Sequence, residues 1–495
     1  MAGVIGPDTI WSTSTRTGRP WPCAGVTDRP PADADPGERA GLIPFAGVEV
    51  LLKASDEPFV FGVRRGPGSR GVAVDGSTPS TPQVGCNDVG PHRGRARMLA
   101  GLVEASHLST VERLPSLVEE HAAHVGLYDV LIYLADLQQD VLRPLTGRGE
   151  SAEREPAELR IDGTLAGRAF QEMRVLPGAG AAGEGGRWWV PLLDGTERLG
   201  VLRVSARPDT DGDRSQEDMR HLASVVALML VSKRSQSDSY ARLVRTRPMN
   251  VAAEMQWNLL PPLTFASEKV IIGAALEPAY ELGGDAFDYG LDGEAVHLAV
   301  FDAMGHDASA GLTANLAVAA CRNQRRQGAG LVRVSEGIEE VLIKEFGQGN
   351  RFATAILADL NMRTGVFAWV NRGHHPPVVI RGGRWVTTLR CPPAHPLGLG
   401  LGLPVTLCRE QLEPGDRVLL YTDGMVEARD RAGREFGLAR FVDFIIRHNA
   451  DGLPVPETLR RLVRSVLKHH DGRLQDDATV LLVEWCGGAE GKLSL

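Results

Sequence analysis

Four aspartates in the second half of this 495-residue chain share one local grammar. Asp285 follows Gly283-Gly284, and Asp302 ends the apolar run HLAVFD. Asp423 ends RVLLYTD and precedes Gly424, while Asp476 stands with Asp477 just before ATVLLVEW. Any one of them could be a turn residue, because aspartate beside glycine at a strand tip is ordinary turn chemistry. Four together, each at the edge of a strong core strand, are harder to explain in that way. Gathered carboxylates repel one another and persist when cations neutralise them. Oxygen donors without a cluster of His or Cys select Mg²⁺ or Mn²⁺ over zinc. The pattern therefore points to a site for two metal ions. Asp288 and Asp477 lie beside it, either holding metal-bound water or serving the local structure.

The elements that must position these carboxylates are legible as short β-branched runs separated by Gly and Pro. VIIGAAL, AVHLAVFD, FATAILADL, GVFAWV, PPVVIR, RWVTTL and RVLLYTD predict strands, and helical stretches are expected at 308–324, 332–346, 437–448 and 456–469. Two groups of strands with intervening helix pairs imply a β-sandwich with helices outside it, over 264–487. Before it, residues 97–232 read as a second α+β unit. RMLAGLVEASHLSTVERLPSLVEEHAAHVG has helical spacing, YDVLIYLAD is a strand, and Asp194-Gly195 marks a hairpin turn. SQEDMRHLASVVALMLVSK closes that unit as a helix. Residues 233–263 read as a helical linker stopped by Pro261-Pro262. Met249, Ala252, Ala253, Met255, Gln256, Leu259 and Leu260 form its apolar seam, which either packs on its own domain or pairs two chains. Residues 1–96 are rich in Pro, Gly, Asp and Ser and read as a disordered extension, and 488–495 as a flexible tail.

Whole-chain properties exclude several classes. A net charge of -8 argues against nucleic acid as the main partner. Six scattered cysteines show neither a C-x-x-C pair nor a disulfide spacing, which suits a reducing cytoplasm. No apolar run reaches the ~18 residues that span a membrane.

The segments GGDAFDYG, FDAMGHDASA, NRGHHPPVV, LEPGDRVLLYTDGMVEARD and DDATVLLVEW resemble, in order and spacing, the SpoIIE-like (RsbU-type) serine/threonine phosphatases of the metal-dependent protein phosphatase 2C superfamily. EMQWNLLPP resembles the short helix that precedes that domain. The resemblance implies an α-β-β-α sandwich with Asp285, Asp302, Asp423 and Asp476 as catalytic metal ligands, joined by the backbone carbonyl of Ala303. Two Mn²⁺ or Mg²⁺ ions would clamp the phosphate and activate water for in-line attack. The element order of 97–232 resembles a GAF domain, so the implied fold class is a multidomain α+β chain with a GAF-like sensor before the phosphatase. The implied partner is a phosphorylated STAS-domain protein, an anti-sigma-factor antagonist, with a small-molecule ligand for the sensor and a homodimer as further expectations.

The chain departs from the family pattern in places. Ala303 and Asp307 replace the usual Val and last Gly of D-V-x-G-H-G. Asp307 suits a helix N-terminus, and His306 is either a general acid or part of that helix start. Arg372 stands in the second position of the usual Asn-Ala-Gly-His, where it could contact phosphate. Asn371, His374 and His375 either shape the rim of the site or form a tight turn locked by Pro376. Two other functions compete. A cyclic-di-GMP enzyme built on the GGD loop requires Glu after Asp285, and Ala286 stands there. A catalytically weak or inactive scaffold would be favoured by loss of a metal aspartate, and all four are present.

Overall fold

The computed structural model describes residues 89–147, 157–178, 186–208, 212–281, 283–450, 452–470, 474 and 476–487. The expected extension before residue 89, with its strand-like runs FAGVEVLLKA and PFVFGVRRG, and the tail 488–495 lie outside the described residues.

The N-terminal lobe opens with helices α1 (Val89–Ser106) and α2 (Leu114–Ala122). Strands β1 (Leu127–Ala135), β2 (Val141–Pro144) and β3 (Leu159–Arg160) follow, then helix α3 (Leu165–Glu172). Strands β4 (Leu176–Pro177), β5 (Arg187–Asp194) and β6 (Glu197–Ala206) lead to helix α4 (Gly212–Arg234). The six strands form one antiparallel sheet in the order β3-β2-β1-β6-β5-β4. Gly195, at φ +58°, supplies the left-handed residue of the β5–β6 hairpin. Period-two alternation divides the apolar side chains between the two faces. Val130, Ile132, Val190, Leu202 and Val204 pack against Leu102, Val118, Leu222, Val226 and Leu230 of the helices. Tyr133, Leu142 and Val201 take Phe170 of α3 on the other face.

The segment between the lobes comes as short pieces rather than one helix. After α4 come α5 (Asp238–Val244), capped by Ser237, and α6 (Val251–Leu259), capped by the Asn250 side chain on the Ala253 amide. Most of the seam is used within the chain: Ala252, Ala253 and Gln256 are buried, while Val251 and Met255 stay exposed.

The C-terminal lobe has the expected layers. Strands β7 (Thr264–Ala266) and β8 (Val270–Glu277) precede the hairpin of β9 (Asp285–Asp292) and β10 (Ala295–Ala303). Helices α7 (Ala308–Arg326) and α8 (Leu331–Phe346) follow, then β11 (Ala353–Asn361), β12 (Val366–Arg372), β13 (Val378–Arg381) and β14 (Arg384–Thr388). Strands β15 (Cys408–Gln411) and β16 (Arg417–Tyr421) lead to the single turn α9 (Asp423–Val426). Helices α10 (Leu438–Ala450) and α11 (Val455–His469) and strand β17 (Ala478–Trp485) complete it. One sheet runs β15-β12-β11-β10-β9 and the other β14-β13-β16-β17-β8-β7. Phe287, Val300, Ile356 and Trp369 of the first meet Ile272, Leu420, Leu481 and Val483 of the second. The outer face of the first sheet takes Ala314, Val318, Ile338 and Leu342 of α7 and α8; the outer face of the second takes Phe441, Ile445, Leu459 and Leu462 of α10 and α11. Each fully buried Phe, Ile or Leu contributes ~1.5–3 kcal/mol relative to exposure.

One expectation is overturned: Cys391 and Cys408 are joined in a disulfide. Their separation of 17 residues has no local signature, and only the return of the loop before β15 brings the Cα atoms to 5.9 Å. The cysteines therefore lend no support to a reducing compartment. Among the described residues, no helix is long and apolar enough to cross a membrane.

Candidate metal centre

The β9–β10 register sets Asp302 directly across from Asp285, and the β10–β11 register sets it across from Thr354. Alternation decides which way these side chains go. On β10, Leu298 and Val300 face the other sheet whereas Ala299 and Phe301 face the helices. Asp302 shares the parity of the first pair, so it points between the sheets at their open end. Phe287 places Asp285 on the same side.

The second sheet supplies the rest from two adjacent strand ends. Tyr421 of β16 is in register with Val480 of β17, which puts Thr422-Asp423 beside Asp476-Asp477. The buried Thr422 hydroxyl donates to Asp285 Oδ2 at 2.6 Å and accepts the Thr479 amide at 2.8 Å, tying the sheets together. Asp477 Oδ2 accepts the amides of Gly283 at 2.8 Å and Asp285 at 3.2 Å. The glycines are needed where they stand. A Cβ on Gly284 would lie 2.2 Å from the Ala303 carbonyl oxygen, and one on Gly424 would lie 2.0 Å from the Asp477 carbonyl oxygen. Gln256 of α6, fully buried, donates to the carbonyls of Gly283 at 3.2 Å and Asp285 at 2.6 Å.

Burial, followed by the charges of Asp302 and Asp477, holds the Asp285 carboxyl well above the usual range. Asp302 is raised by burial and then by Asp423, Asp476 and Asp477. Asp477 is pushed up to about 6, mainly by burial, against the pull of its amide donors. Carboxylates that raise one another's affinity for protons fit a divalent cation, which relieves the same repulsion. Asp285, Asp302, Asp423, Asp476 and the Ala303 carbonyl would offer only oxygen donors, which suit Mg²⁺ or Mn²⁺. A divalent ion held there would supply positive charge for an anionic substrate and acidify bound water. The chain's own part is to fix the carboxylates at the meeting of two sheets.

Neighbouring residues divide into the structural and the open. Asp288 is fully buried on the helix side of β9, held by Arg322 at 2.7 Å and Arg325 at 2.9 Å. It supports α7 and does not face the centre. Asp307 caps α7 through the amides of Ser309 and Ala310. Arg372 cannot reach a phosphate: it is fully buried, donating to the His395 carbonyl and Ser335 hydroxyl and paired with Glu339. Its position at the end of β12 turns it under α8, which its sequence context did not reveal. Asn371 makes a tight turn with His374 through both of its amide atoms. His374 bridges Thr354 Oγ1 at 2.6 Å and the Tyr421 carbonyl at 3.0 Å, and burial holds its pKa down to about 4. His306 is exposed. Sequence reasoning missed Thr354 and Thr422. Thr422 had a signal, standing directly before Asp423 in YTDGMVE.

Comparison with known proteins bears on this lobe. Residues 292–486 match the family model described as Stage II sporulation protein E (SpoIIE). The chain is 25% identical over 239 residues to phosphoserine phosphatase RsbU of Bacillus subtilis, covering 48% of this chain and 69% of that protein. It is 25% identical over 190 residues to phosphoserine phosphatase RsbP of the same organism, covering 38% of this chain and 47% of that one. Among solved structures, the SiaA-PP2C domain of Pseudomonas aeruginosa is similar at 21% identity with a TM-score of 0.40, covering 47% of this chain and 94% of that one. The chain therefore carries a SpoIIE-type serine/threonine phosphatase domain related to RsbU. The match to RsbP spans less than half of that relative's length.

Proposed function

We propose that this phosphatase domain works with two Mn²⁺ or Mg²⁺ ions held by Asp285, Asp302, Asp423 and Asp476, with the Ala303 carbonyl as a further ligand. The observation that carries the proposal is the cross-strand pair of Asp302 and Asp285, joined to the second sheet by Thr422. Gly284 supports it too, since any side chain there would crowd the Ala303 carbonyl. The substrate in this reading is a phosphoserine or phosphothreonine on a STAS-type anti-sigma-factor antagonist, within bacterial partner switching. That class follows from the motif resemblance and agrees with the phosphoserine phosphatases to which the chain is similar. The N-terminal lobe is its GAF-like sensor for a small ligand, the protein acts in the cytoplasm, and exposed Val251 and Met255 offer a homodimer contact. Sedimentation tests the dimer.

Phosphate release from a phosphorylated STAS protein, with Mn²⁺ added or chelated, tests the enzyme. Wild type should turn over only with metal, and Asp302→Ala should lose at least ~10²-fold in rate, since a bound metal supplies several kcal/mol of transition-state charge stabilisation. Equal turnover by both proteins would defeat the metal assignment. The inactive-scaffold alternative predicts that neither turns over while both bind the phosphoprotein.

A further inference from the structure

Within the described residues, one group of three His, Cys, Asp or Glu side chains brings its ligand atoms within 4.8 Å of one another: His375, Asp423 and Glu427. We propose that these three hold a divalent transition-metal ion at the rim of the centre, in a site with a nitrogen donor that the carboxylate cluster lacks. Asp423 and Glu427 bracket α9, four positions apart, with the Glu427 amide bonded to the Asp423 carbonyl at 2.7 Å. That spacing puts both carboxylates on one face of the turn. His375 reaches them from the turn after β12, and its ring is stacked on Tyr421 at 5.7 Å and 20°. The stack fixes the imidazole plane before any ion arrives. None of the three side chains has a hydrogen-bond or ion-pair partner among the described residues, although Asp423 and His375 are each only half exposed. Three convergent donors with nothing to bind are what a metal site needs and what a packed surface does not.

The chemistry selects the ion. Imidazole suits Fe²⁺ or Zn²⁺, and beside two carboxylates it also admits Mn²⁺, the paramagnetic probe for the site, whereas Mg²⁺ keeps to oxygen and dehydrates reluctantly. Asp423 has two oxygens, so one can serve the carboxylate centre while the other faces His375 and Glu427. The inference thus rests on the metal-centre reading only for the role shared by Asp423, and the two can fail separately.

Mn²⁺ titration of the full chain followed by electron paramagnetic resonance, with pulsed measurement of ¹⁴N coupling, tests it. Wild type should show imidazole ¹⁴N modulation that excess Mg²⁺ does not remove. His375→Phe keeps a ring over Tyr421 without the nitrogen; it should lose the modulation and bind one Mn²⁺ equivalent at least ~10-fold more weakly. Glu427→Gln should weaken the same equivalent. His306→Ala should retain the modulation, and Asp302→Ala should retain it while the carboxylate centre empties. Wild type without ¹⁴N modulation, His375→Phe with it, or its loss in His306→Ala would each overturn the proposal. Modulation that persists in Asp302→Ala with no loss of any Mn²⁺ equivalent would instead overturn the carboxylate centre and leave the rim site standing.

Discussion

Asp285 and Asp288 sit on the same strand, and the pleat sends their carboxylates to opposite faces. Asp285 faces the other sheet, where Asp302 lies across from it; Asp288 faces α7, where two arginines neutralise it. The aspartate in GGDAFDYG that is ambiguous in sequence is thus decided by register, which no single residue encodes. Stability should separate the two roles. Breaking a buried pair by removing one partner costs ~3–5 kcal/mol, because an uncompensated charge is left behind. Asp288→Asn should therefore lower the melting temperature strongly while leaving Mn²⁺ affinity within about twofold of wild type; a selective loss of Mn²⁺ binding would place Asp288 in the centre after all. Arg372 teaches the same lesson from the other side. Its charge and its place beside Gly373-His374 suggested phosphate, but its fully buried guanidinium is committed to Glu339, Ser335 and His395. Charge type is legible in sequence; the direction of a side chain at a strand end is not.

Elements were more legible than side-chain partners because periodicity is written along the chain. The apolar runs of β8, β10, β11 and β17 and the helices α7, α8, α10 and α11 all lie where alternation and helical spacing place them. What spacing could not show is how the two sheets are fastened at their open end. Thr422 does this: its hydroxyl spans from the Thr479 amide of its own sheet to Asp285 of the other. It follows β16 as the N-cap position of α9 yet makes no side-chain cap, so its hydroxyl is free for that role. Thr422→Val keeps the shape and removes the bridge, leaving a buried amide and a buried carboxylate each without a donor–acceptor partner. A loss of ~1–3 kcal/mol in stability is expected, together with weaker Mn²⁺ binding as Asp285 loses its tether. Chemical denaturation and metal titration of the same preparation check both, and an unchanged Mn²⁺ affinity would show that Asp285 is positioned by Asp477 and the backbone alone. The Cys391–Cys408 bond belongs at this scale too, since strand and loop geometry alone unite its halves.

At the scale of the molecule the two lobes are clamped by charge. Arg198 of β6 and Glu457 of α11 are buried together at 2.8 Å, Glu457 also holds Arg460 and Arg461, and Arg460 returns to Asp162 at 2.7 Å. Beside this clamp, Gln138 of the N-terminal lobe donates at 3.0 Å to Glu277, the last residue of β8. Glu277 is in register with Ala478, the residue after Asp477, so lobe contact and metal centre meet across one strand pair. Burial pushes the Glu277 carboxyl up to about 7, with Asp140 adding to the rise and the Ala279 amide, Gln138 and Arg247 opposing it. An unfolded glutamate releases its proton near ~4.3, so between that pH and about 7 the folded chain holds a proton the unfolded chain has lost. The stabilising contribution is full below the unfolded value and disappears as pH rises through the folded one. Glu277→Gln preserves an acceptor for Gln138 and cannot ionise. It should match wild type at about pH 4 and exceed it at pH 8 by up to ~4 kcal/mol, the span of the shift at ~1.4 kcal/mol per unit. Denaturant titrations at the two pH values measure this directly. A variant equally stable with wild type at pH 8 would mean that Glu277 is charged in the folded chain and that Gln138 meets a carboxylate, leaving the contact between the lobes insensitive to pH in this range.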